Sequence, residues 1–321
     1  MRAPRLAVEL GQGNGFTHRG NLVTAEYTRA KAPGQATAAT ASAAAAAAAA
    51  VPVMIAIDGV SKTFTGRDAA QTVQALDEVS LDIHKGEFVC LLGPSGCGKS
   101  TLLAIIGGML QASAGSVIVA GAPVNGPRPN DIAYVFQEST LLPWYTVLDN
   151  FRLALKFQGI DDASWRDRAM HALSAVDMTQ FANHYPKQLS GGMKQRINLA
   201  RGLCVGTQVL LLDEPFAALD EQTRMVLGED LSILLARTGK TIVFVTHSLA
   251  EAVFLADRII VITARPGRVK AEINVPHPHP RSPDFMLAPE FGEIRNELYA
   301  ILRDEIRATV ARMREARDAH G

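Results

Sequence analysis

The chain has 321 residues, with 32 basic and 32 acidic side chains. That length allows one large domain or two small ones, and the balanced charge gives no overall positive field that would favour nucleic acid. The three cysteines, Cys90, Cys97 and Cys204, are an odd number in mostly apolar surroundings. This usage is typical of a reducing compartment rather than of a disulfide framework.

Residues 1–51 differ in composition from the rest of the chain. Positions 36–50 are alanine interrupted only by Thr37, Thr40 and Ser42, so few large side chains are available to bury. Alanine is only weakly apolar, and the Leu-rich core of a secretory signal is absent, so we predict neither a membrane span nor a signal. We expect either a disordered low-complexity extension or upstream sequence before a true start at Met54, and intact-mass measurement of the native protein would distinguish them.

Apolar runs of strand length alternate with helical patterns along the remaining chain, which predicts an α/β fold. The run 209–212 is wholly apolar, as expected for a parallel strand covered on both faces. Apolar residues at steps of three or four from position 293 predict an amphipathic C-terminal helix that packs on its own domain or on a second copy. Strands are predicted at 53–57, 79–83, 88–92, 114–119, 132–136, 209–212, 241–245, 259–262 and 269–273.

The stretch GPSGCGKST, residues 93–101, lies between a predicted strand and a predicted helix. This arrangement aims backbone N–H groups and the positive end of a helix dipole at one small volume, which is the pattern of a phosphate-binding loop. Gly96 and Gly98 let the backbone approach an anion. Lys99 would reach the β- and γ-phosphates of a nucleotide, and Ser100 would ligate Mg²⁺.

A second candidate anion site follows at Ser190, Gly191 and Gly192, at the start of a predicted helix. A serine N-cap followed by two glycines exposes bare N–H groups at a helix N-terminus. A simple capped helix would explain the serine but not the pair of glycines.

Polar residues end several of the predicted core strands. Asp213 and Glu214 follow the strand 209–212, and ligands of parallel sheets bind beyond the carboxyl ends of the strands. Asp213 suits a Mg²⁺ shell, and Glu214 can hold a water molecule and accept its proton. His247 ends another core strand, which favours contact with a γ-phosphate. Gln137 follows the strand 132–136 and can offer its amide oxygen to Mg²⁺ or to water.

For two aromatic residues, the sequence pattern alone leaves two interpretations open. Phe64 could stack on an adenine ring or pack in a small sheet, and the local pattern favours packing. Trp144 belongs to the apolar cluster 141–144, which is equally compatible with a partner-docking surface and with a corner of the core.

These motifs together resemble those of the ATP-binding cassette (ABC) ATPases, over residues 53–273. The resemblance implies a P-loop NTPase fold with a RecA-like core, an antiparallel β subdomain and an α-helical subdomain at about 138–190. The nucleotide-binding domain would span residues 52–280, and residues 281–321 would form a C-terminal helical extension. The motifs that carry the resemblance are GPSGCGKST, Gln137, LSGGM, LLLDEP, Ala218-Leu219-Asp220 and Thr246-His247.

The resemblance also implies a mechanism that one copy does not complete alone. ATP and Mg²⁺ bound by one copy would be covered by Ser190, Gly191 and Gly192 of a second copy, in a head-to-tail homodimer, and Asp220 would help to couple the two sites. Glu214 would be the general base, with His247 and Gln137 sensing the γ-phosphate. Met193 stands where many such signatures have glutamine, and we expect activity to survive because the serine and glycines supply the essential contacts. The nucleotide would contact Phe64, Gly93, Pro94, Ser95, Gly96, Cys97, Gly98, Lys99, Ser100 and Thr101, and the metal would contact Ser100, Gln137 and Asp213.

Within the family, the segments VFQESTLLPWYTVLDN and THSLAEAVFLADRIIVIT look like those of importers for nitrate, sulfonates or taurine. This implies an integral membrane permease as partner, gripped by the helical block that contains Trp144, and indirectly a periplasmic or extracellular solute-binding protein. The subunit would lie peripherally on the cytoplasmic face of the inner membrane.

The alternative function is a soluble, non-transport ABC ATPase that acts on nucleic acid or ribosomes. Such a protein would show a long coiled-coil insertion, two cassettes in one chain or a basic face, and the sequence has none of these. A P-loop kinase or GTP-binding switch is disfavoured by the LSGG segment and by Glu214.

Overall fold

The computed structural model describes residues 51–66, 72–160, 163–217 and 219–318. The alanine-rich segment, with the extension predicted for it, lies outside the described residues. In chain order the strands are β1 (Val53–Thr65), β2 (Thr72–His84), β3 (Phe88–Leu92), β4 (Ala114–Val119), β5 (Ala122–Pro123), β6 (Ile132–Val135), β7 (Val209–Asp213), β8 (Thr241–Thr246), β9 (Arg258–Ile262) and β10 (Val269–Asn274). The α-helices are α1 (Lys99–Ile106), α2 (Val147–Phe157), α3 (Trp165–Ser174), α4 (Gly191–Cys204), α5 (Glu221–Thr238), α6 (Leu249–Leu255) and α7 (Pro289–Asp318).

In the described part of the chain, the central sheet has six strands in the order β10-β9-β3-β8-β7-β6. Neighbouring strands from β9 to β6 are parallel, and only β10 pairs in the antiparallel direction. The carboxyl ends of the five parallel strands therefore lie along one edge of the sheet.

Alternate residues of the central strands face two separate hydrophobic clusters. On β3, Phe88, Cys90 and Leu92 pack with residues of the helices that cover one face. Val89 and Leu91 pack with α1 and with the second sheet on the other face. Because a strand points successive side chains to opposite faces, both faces of these continuous apolar runs are buried.

The second sheet is antiparallel and has the order β2-β1-β4-β5. β1 continues to Thr65, beyond the 53–57 predicted from the sequence. Its pairing with β2 shifts register between Ile57 and Val60, around Gly59, whose φ of 57° is left-handed. A bulge of this kind breaks the alternation of apolar residues, so the sequence pattern stops before the strand does. The continuation carries Phe64 to the end of the sheet.

A third cluster joins α2, α3 and the middle of α4. Phe151, Leu173 and Ile197 are fully buried at its centre. Thr146 caps α2 by accepting a hydrogen bond from the backbone N–H of Asp149, whose side chain bonds back to Thr146 in a capping box. The segment between the phosphate loop and the Ser190 helix therefore has its own core.

The C-terminal helix α7 packs on its own domain. Phe291, Leu298 and Leu302 are buried in the cluster that covers the helical face of the central sheet. α7 begins at Pro289, earlier than the sequence pattern indicated. None of the helices in the described residues is both long enough and apolar enough to span a membrane.

Arg281 anchors the connection between the central sheet and α7. Its fully buried guanidinium donates hydrogen bonds to the carbonyl oxygens of Val253, Phe254 and Ala256 at the end of α6, at 2.9 to 3.0 Å. It also bonds the carbonyl oxygen of His277, at 2.7 and 2.9 Å. One side chain thus satisfies helix-end carbonyl groups that have no partners within the helix.

Replacing Arg281 by Met should lower the free energy of unfolding by about 3 kcal/mol, because several buried carbonyl groups lose their donor. Urea denaturation of the purified chain measures this. The matched control is Arg303→Met, because the side chain of Arg303 is 53% exposed beside Asp304. The control should change stability by less than about 0.5 kcal/mol. Equal effects of the two substitutions would contradict the anchoring role.

Candidate nucleotide site

The predicted site residues converge because of the strand order. The phosphate loop follows β3, Thr246 and His247 lie at the end of β8, Asp213 and Glu214 at the end of β7, and Gln137 just beyond β6. These strands are parallel and adjacent, so their carboxyl ends share one edge. Segments far apart in sequence thereby meet at one edge of the sheet.

The phosphate loop is held in a conformation that requires glycine. Gly98 has a φ of 106°, and a Cβ there would come within 2.7 Å of Leu76 and 2.8 Å of the Ala75 carbonyl oxygen. The loop therefore lies directly against β2, and it leads into α1, which begins at Lys99. Only glycine permits this packing at this φ, and Gly96 and Gly98 both line the cavity over the loop, where their backbone is open to an anion.

Lys99 lies inside the loop rather than on its surface. Its side chain is 4% exposed, and its Nζ donates hydrogen bonds to the carbonyl oxygens of Gly93 at 2.8 Å and Pro94 at 3.0 Å. Cys97 is buried beside it, and burial raises the pKa of the Cys97 thiol. The interpretation of Cys97 as a filler of the loop, rather than as a modifiable thiol, fits this burial.

A cavity of about 380 Å³ opens over the loop. Phe64 and Gln137 line it, and Phe64 is 43% exposed at the end of β1. The ammonium group of Lys62 lies over the Phe64 ring, 5.3 Å from its centroid. Gly93, Pro94 and Cys97 belong to the same loop but lie outside the described lining, so their contact with a nucleotide stays a prediction. The described lining residues are Phe64, Val73, Ala75, Ser95, Gly96, Gly98, Lys99, Ser100, Thr101, Gln137, Glu214 and Arg265.

Asp213 and Ser100, two of the three residues predicted to hold Mg²⁺, are hydrogen-bonded to each other. The Ser100 hydroxyl donates to Asp213 Oδ1 at 2.8 Å, and the Tyr134 hydroxyl donates to Asp213 Oδ2 at 3.0 Å. Burial raises the pKa of Asp213, and the hydrogen bonds from Ser100 and Tyr134 act in the opposite direction. A carboxylate and a hydroxyl are hard oxygen donors of the kind that Mg²⁺ takes alongside phosphate oxygens, so the donor set fits that ion.

Glu214 and His247 form a second pair at the same edge. Glu214 Oε2 lies 3.3 Å from His247 Nδ1, and the backbone N–H of Glu214 donates to the Val245 carbonyl oxygen at 3.0 Å. Glu214 has a φ of 43°, which is rare for a residue with a side chain. Such strained conformations concentrate at functional sites, where the surrounding structure holds them.

A buried network supports the turn that carries His247. Thr246 donates from its hydroxyl to Glu251 Oε2 at 2.5 Å and accepts from the backbone N–H of Ser248 at 3.0 Å. Arg224 pairs with Glu251 at 3.3 Å. Two helices behind the site therefore hold this turn, α5 through Arg224 and α6 through Glu251.

The Ser190 segment lies apart from this cavity. Ser190 caps α4 by accepting a hydrogen bond from the backbone N–H of Met193 at 3.3 Å. No residue of α4 or its cap belongs to the described lining of the phosphate-loop cavity. A Cβ at Gly191 would meet no atom within 4 Å, so the start of this helix faces open space in the described structure. The roles of Ser190, Gly191 and Gly192 toward a nucleotide therefore stay predictions.

Asp220 also lies outside the cavity. Its carboxylate accepts hydrogen bonds from the backbone N–H of Thr223 at 2.9 Å and from its hydroxyl at 2.8 Å, so it caps α5. The backbone hydrogen bond from Thr223 lowers the pKa of Asp220. Within one chain it acts as a helix cap, and its coupling role stays a prediction.

The sequence interpretation missed two residues that the structure places at the site. Tyr134 occupies a buried strand beside β7, and nothing in the apolar pattern distinguished its hydroxyl. Arg265 lines the cavity and follows β9, so its position after a parallel core strand was a usable signal.

Comparison with known proteins agrees with this fold. A family model described as ABC transporter matches residues 76–217. A taurine import ATP-binding protein of Rhizobium johnstonii is 42% identical over 262 residues, which are 78% of this chain and 96% of the relative. An aliphatic sulfonates import ATP-binding protein of Bacillus cereus is 40% identical over 244 residues, covering 76% of this chain and 94% of the relative.

Among solved structures, a dimeric post-hydrolysis state of the ATP-binding cassette MJ0796, bound to ADP and Pi, is similar at a TM-score of 0.63 and 35% identity. It covers 70% of this chain and 100% of that chain. The fold and the site thus define a P-loop nucleotide-binding protein. The chain belongs to the ABC transporter family, and the resemblance and fold class predicted from its sequence are confirmed.

Removal of the Tyr134 hydroxyl in Tyr134→Phe should weaken Mg²⁺-dependent ATP binding about fivefold, since Asp213 loses a donor worth about 1 kcal/mol. Asp213 has to be deprotonated to hold a cation, and losing this donor raises its pKa further. The loss of Mg²⁺-dependent binding on acidification should therefore begin at higher pH than in the wild type. Calorimetric titrations at several pH values measure both effects.

Tyr145→Phe is the control, because Tyr145 is an aromatic residue outside the cavity lining. It should leave the affinity and the pH profile unchanged. If Tyr134→Phe and the wild type lose Mg²⁺-dependent ATP binding at the same pH on acidification, Tyr134 does not lower the pKa of Asp213.

Proposed function

We propose that this protein is the ATP-binding and ATP-hydrolysing subunit of an ABC importer, which drives uptake of a small solute through a separate membrane permease. One observation carries the proposal: the phosphate loop, the Ser100–Asp213 pair and the Glu214–His247 pair meet at one sheet edge. Phosphoryl transfer to water needs chiefly positioning and charge stabilisation, and these groups provide both.

The loop residues bind the phosphates of ATP. Backbone N–H groups from Gly96 to Thr101 and the N-terminus of α1 present partial positive charge, and Lys99 adds a full one. The buried Lys99 ammonium bonds two loop carbonyl groups, which keeps it within the loop before the nucleotide arrives. Phe64, exposed at the end of β1, offers its ring to the adenine base.

Ser100, Asp213 and Gln137 are the residues that would hold Mg²⁺. When bound, Mg²⁺ would neutralise charge on the phosphate oxygens. Tyr134 and Ser100 together orient the Asp213 carboxylate, so that the donor atoms are set before binding.

Glu214 is the general base of the proposed reaction. Its carboxylate lies next to the cavity, and it accepts the proton of the attacking water. His247, 3.3 Å away, orients the Glu214 carboxylate and reaches toward the γ-phosphate. The main-chain bond from Glu214 to Val245 fixes the base relative to β8.

A second copy of the chain supplies the remaining wall of each site. The Ser190-capped N-terminus of α4 offers N–H groups and a helix dipole to an anion, yet it stands outside the cavity of its own chain. A head-to-tail homodimer brings the α4 N-terminus of one copy over the phosphate loop of the other. Each of two ATP molecules then contacts both copies, and Asp220 lies where the two sites communicate.

The solute and the partners follow from the family relationship. Relatives named for taurine, nitrate and aliphatic sulfonate import support a small solute of the taurine, sulfonate or nitrate class. In this proposal the subunit lies on the cytoplasmic face of the inner membrane, bound to an integral permease that receives solute from an external binding protein.

Trp144 marks the surface that binds the permease. Its side chain is 67% exposed, while the backbone around it is held in place by the buried side chain of Asn150. Asn150 accepts from the N–H of Leu142 at 2.7 Å and donates to the carbonyl oxygen of Thr146 at 2.9 Å. A large exposed aromatic on a rigid segment is typical of an interaction anchor. This segment follows Gln137 closely in the chain, so docking there can influence the nucleotide site.

Glu214→Gln should lower the turnover of ATP about 100-fold or more, because the amide cannot accept the proton. ATP affinity should stay at the wild-type value, and an ATP-bound dimer should accumulate in size-exclusion chromatography. Glu297→Gln, at an exposed position of α7, is the control with wild-type turnover. Undiminished hydrolysis by Glu214→Gln would refute the general-base role.

Trp144→Ala should leave the ATPase activity of the isolated subunit unchanged and should weaken its binding to permease-containing membranes about tenfold, as loss of an aromatic anchor does. Co-sedimentation with membranes that contain the co-expressed permease measures this. Phe157→Ala is the matched control, since Phe157 is 74% exposed at the end of α2. If both variants co-sediment like the wild type, Trp144 is not the docking anchor.

A further inference from the structure

The loop 263–268, which follows β9, packs directly on the phosphate loop. A Cβ at Gly267 would lie 2.3 Å from the Cys97 carbonyl oxygen, so only glycine permits this approach. The Arg265 guanidinium donates to the Gly96 carbonyl oxygen from Nη2 at 3.1 Å and from Nε at 3.3 Å. Arg265 also lines the cavity that contains Phe64 and Lys99. The cavity therefore has a second cation besides the lysine of the loop.

The same loop is fixed on both sides. The N–H of Gly267 donates to the Ala75 carbonyl oxygen on β2 at 2.9 Å. The N–H of Ala264 donates to Glu305 Oε2 on α7 at 2.6 Å, and Lys270 pairs with the other oxygen of Glu305 at 2.7 Å. The backbone of the Arg265 loop is thus held by β2 and α7, so ligand binding would not cost the entropy of ordering this loop.

The sheet order places Arg265 on the far side of the phosphate loop from the reaction centre. β9 flanks β3 on one side, while β8, β7 and β6 lie on the other. Those three strands carry His247, Glu214 and Gln137. A residue of the loop after β9 therefore approaches the phosphate loop from the side opposite to β8, β7 and β6.

We propose that Arg265 is a nucleotide-binding residue, which donates charge-assisted hydrogen bonds to the part of the nucleotide that ATP and ADP share. A guanidinium carries five N–H donors in a planar fork suited to phosphate oxygens, so it can bond Gly96 and an anion together. Its contribution is to the affinity for a nucleoside di- or triphosphate, and the chemical step does not depend on it. The inference rests on the proposed ATP site.

The test compares Arg265→Gln and Arg265→Lys with the wild type in the full-length chain. Isothermal titration with ATP and with ADP should give dissociation constants about tenfold higher for Arg265→Gln, by the same factor for both nucleotides. Arg265→Lys should recover part of the loss because it keeps the charge. The KM for ATP should rise with the dissociation constant, while kcat stays within about twofold of the wild type.

Arg268→Gln is the matched control. Arg268 belongs to the same loop, but it pairs with Asp77 and lies outside the described lining of the cavity. It should bind both nucleotides as the wild type does.

Each contrary result has a distinct meaning. Unchanged affinity in Arg265→Gln, with a wild type that binds ATP, overturns the inference alone. A loss for ATP without a loss for ADP contradicts the shared contact. A fall in kcat that matches the fall in affinity assigns Arg265 to positioning the loop instead. A wild-type chain that binds no nucleotide overturns both the inference and the proposed function.

Discussion

Parallel pairing of β3, β8, β7 and β6 is the constraint on which the candidate site depends, because parallel strands end at the same edge of a sheet. The phosphate loop leaves the end of β3, Asp213 and Glu214 leave the end of β7, and His247 follows β8. Burial of both faces of these strands fixes their register, since a slip by one residue would move every apolar side chain to the wrong face. The core thus sets the distances between charged groups that lie far apart in sequence.

The buried polar groups behind the site hold the reactive side chains in place. Tyr134 orients Asp213 from a neighbouring strand, and Thr246 with Glu251 supports the turn that carries His247. The loop of Arg265 is fixed in turn by Glu305 of α7, so the C-terminal helix is physically connected to the wall of the cavity. Removing such a positioning residue disturbs geometry rather than chemistry, and its effect is smaller than that of removing the base.

The sequence was informative where a motif has a local physical cause. The phosphate loop, the Ser190 cap and the carboxylates after 209–212 could be placed because glycine, serine and apolar runs constrain the nearby backbone. Tyr134 could not be assigned a role, because its partner Asp213 is distant in sequence and their contact depends on strand order. Arg265 was missed although its position after a parallel core strand was a usable signal. The end of β1 was missed because the bulge at Gly59 interrupts the alternation. For Trp144 the sequence left docking and core equally open, and its 67% exposure in the folded chain argues against the core.

In the proposed dimer two copies of the chain share each ATP site, and a complementation experiment distinguishes shared sites from sites within a single chain. Lys99→Ala disables the loop of one copy, and Gly191→Asp places an acidic group at the open start of α4, where a Cβ meets no atom within 4 Å. Each variant alone should be inactive. An equimolar mixture should recover about a quarter of the wild-type ATPase activity, because half of randomly formed two-fold dimers carry one intact composite site. An inactive mixture of the two folded variants would contradict shared sites.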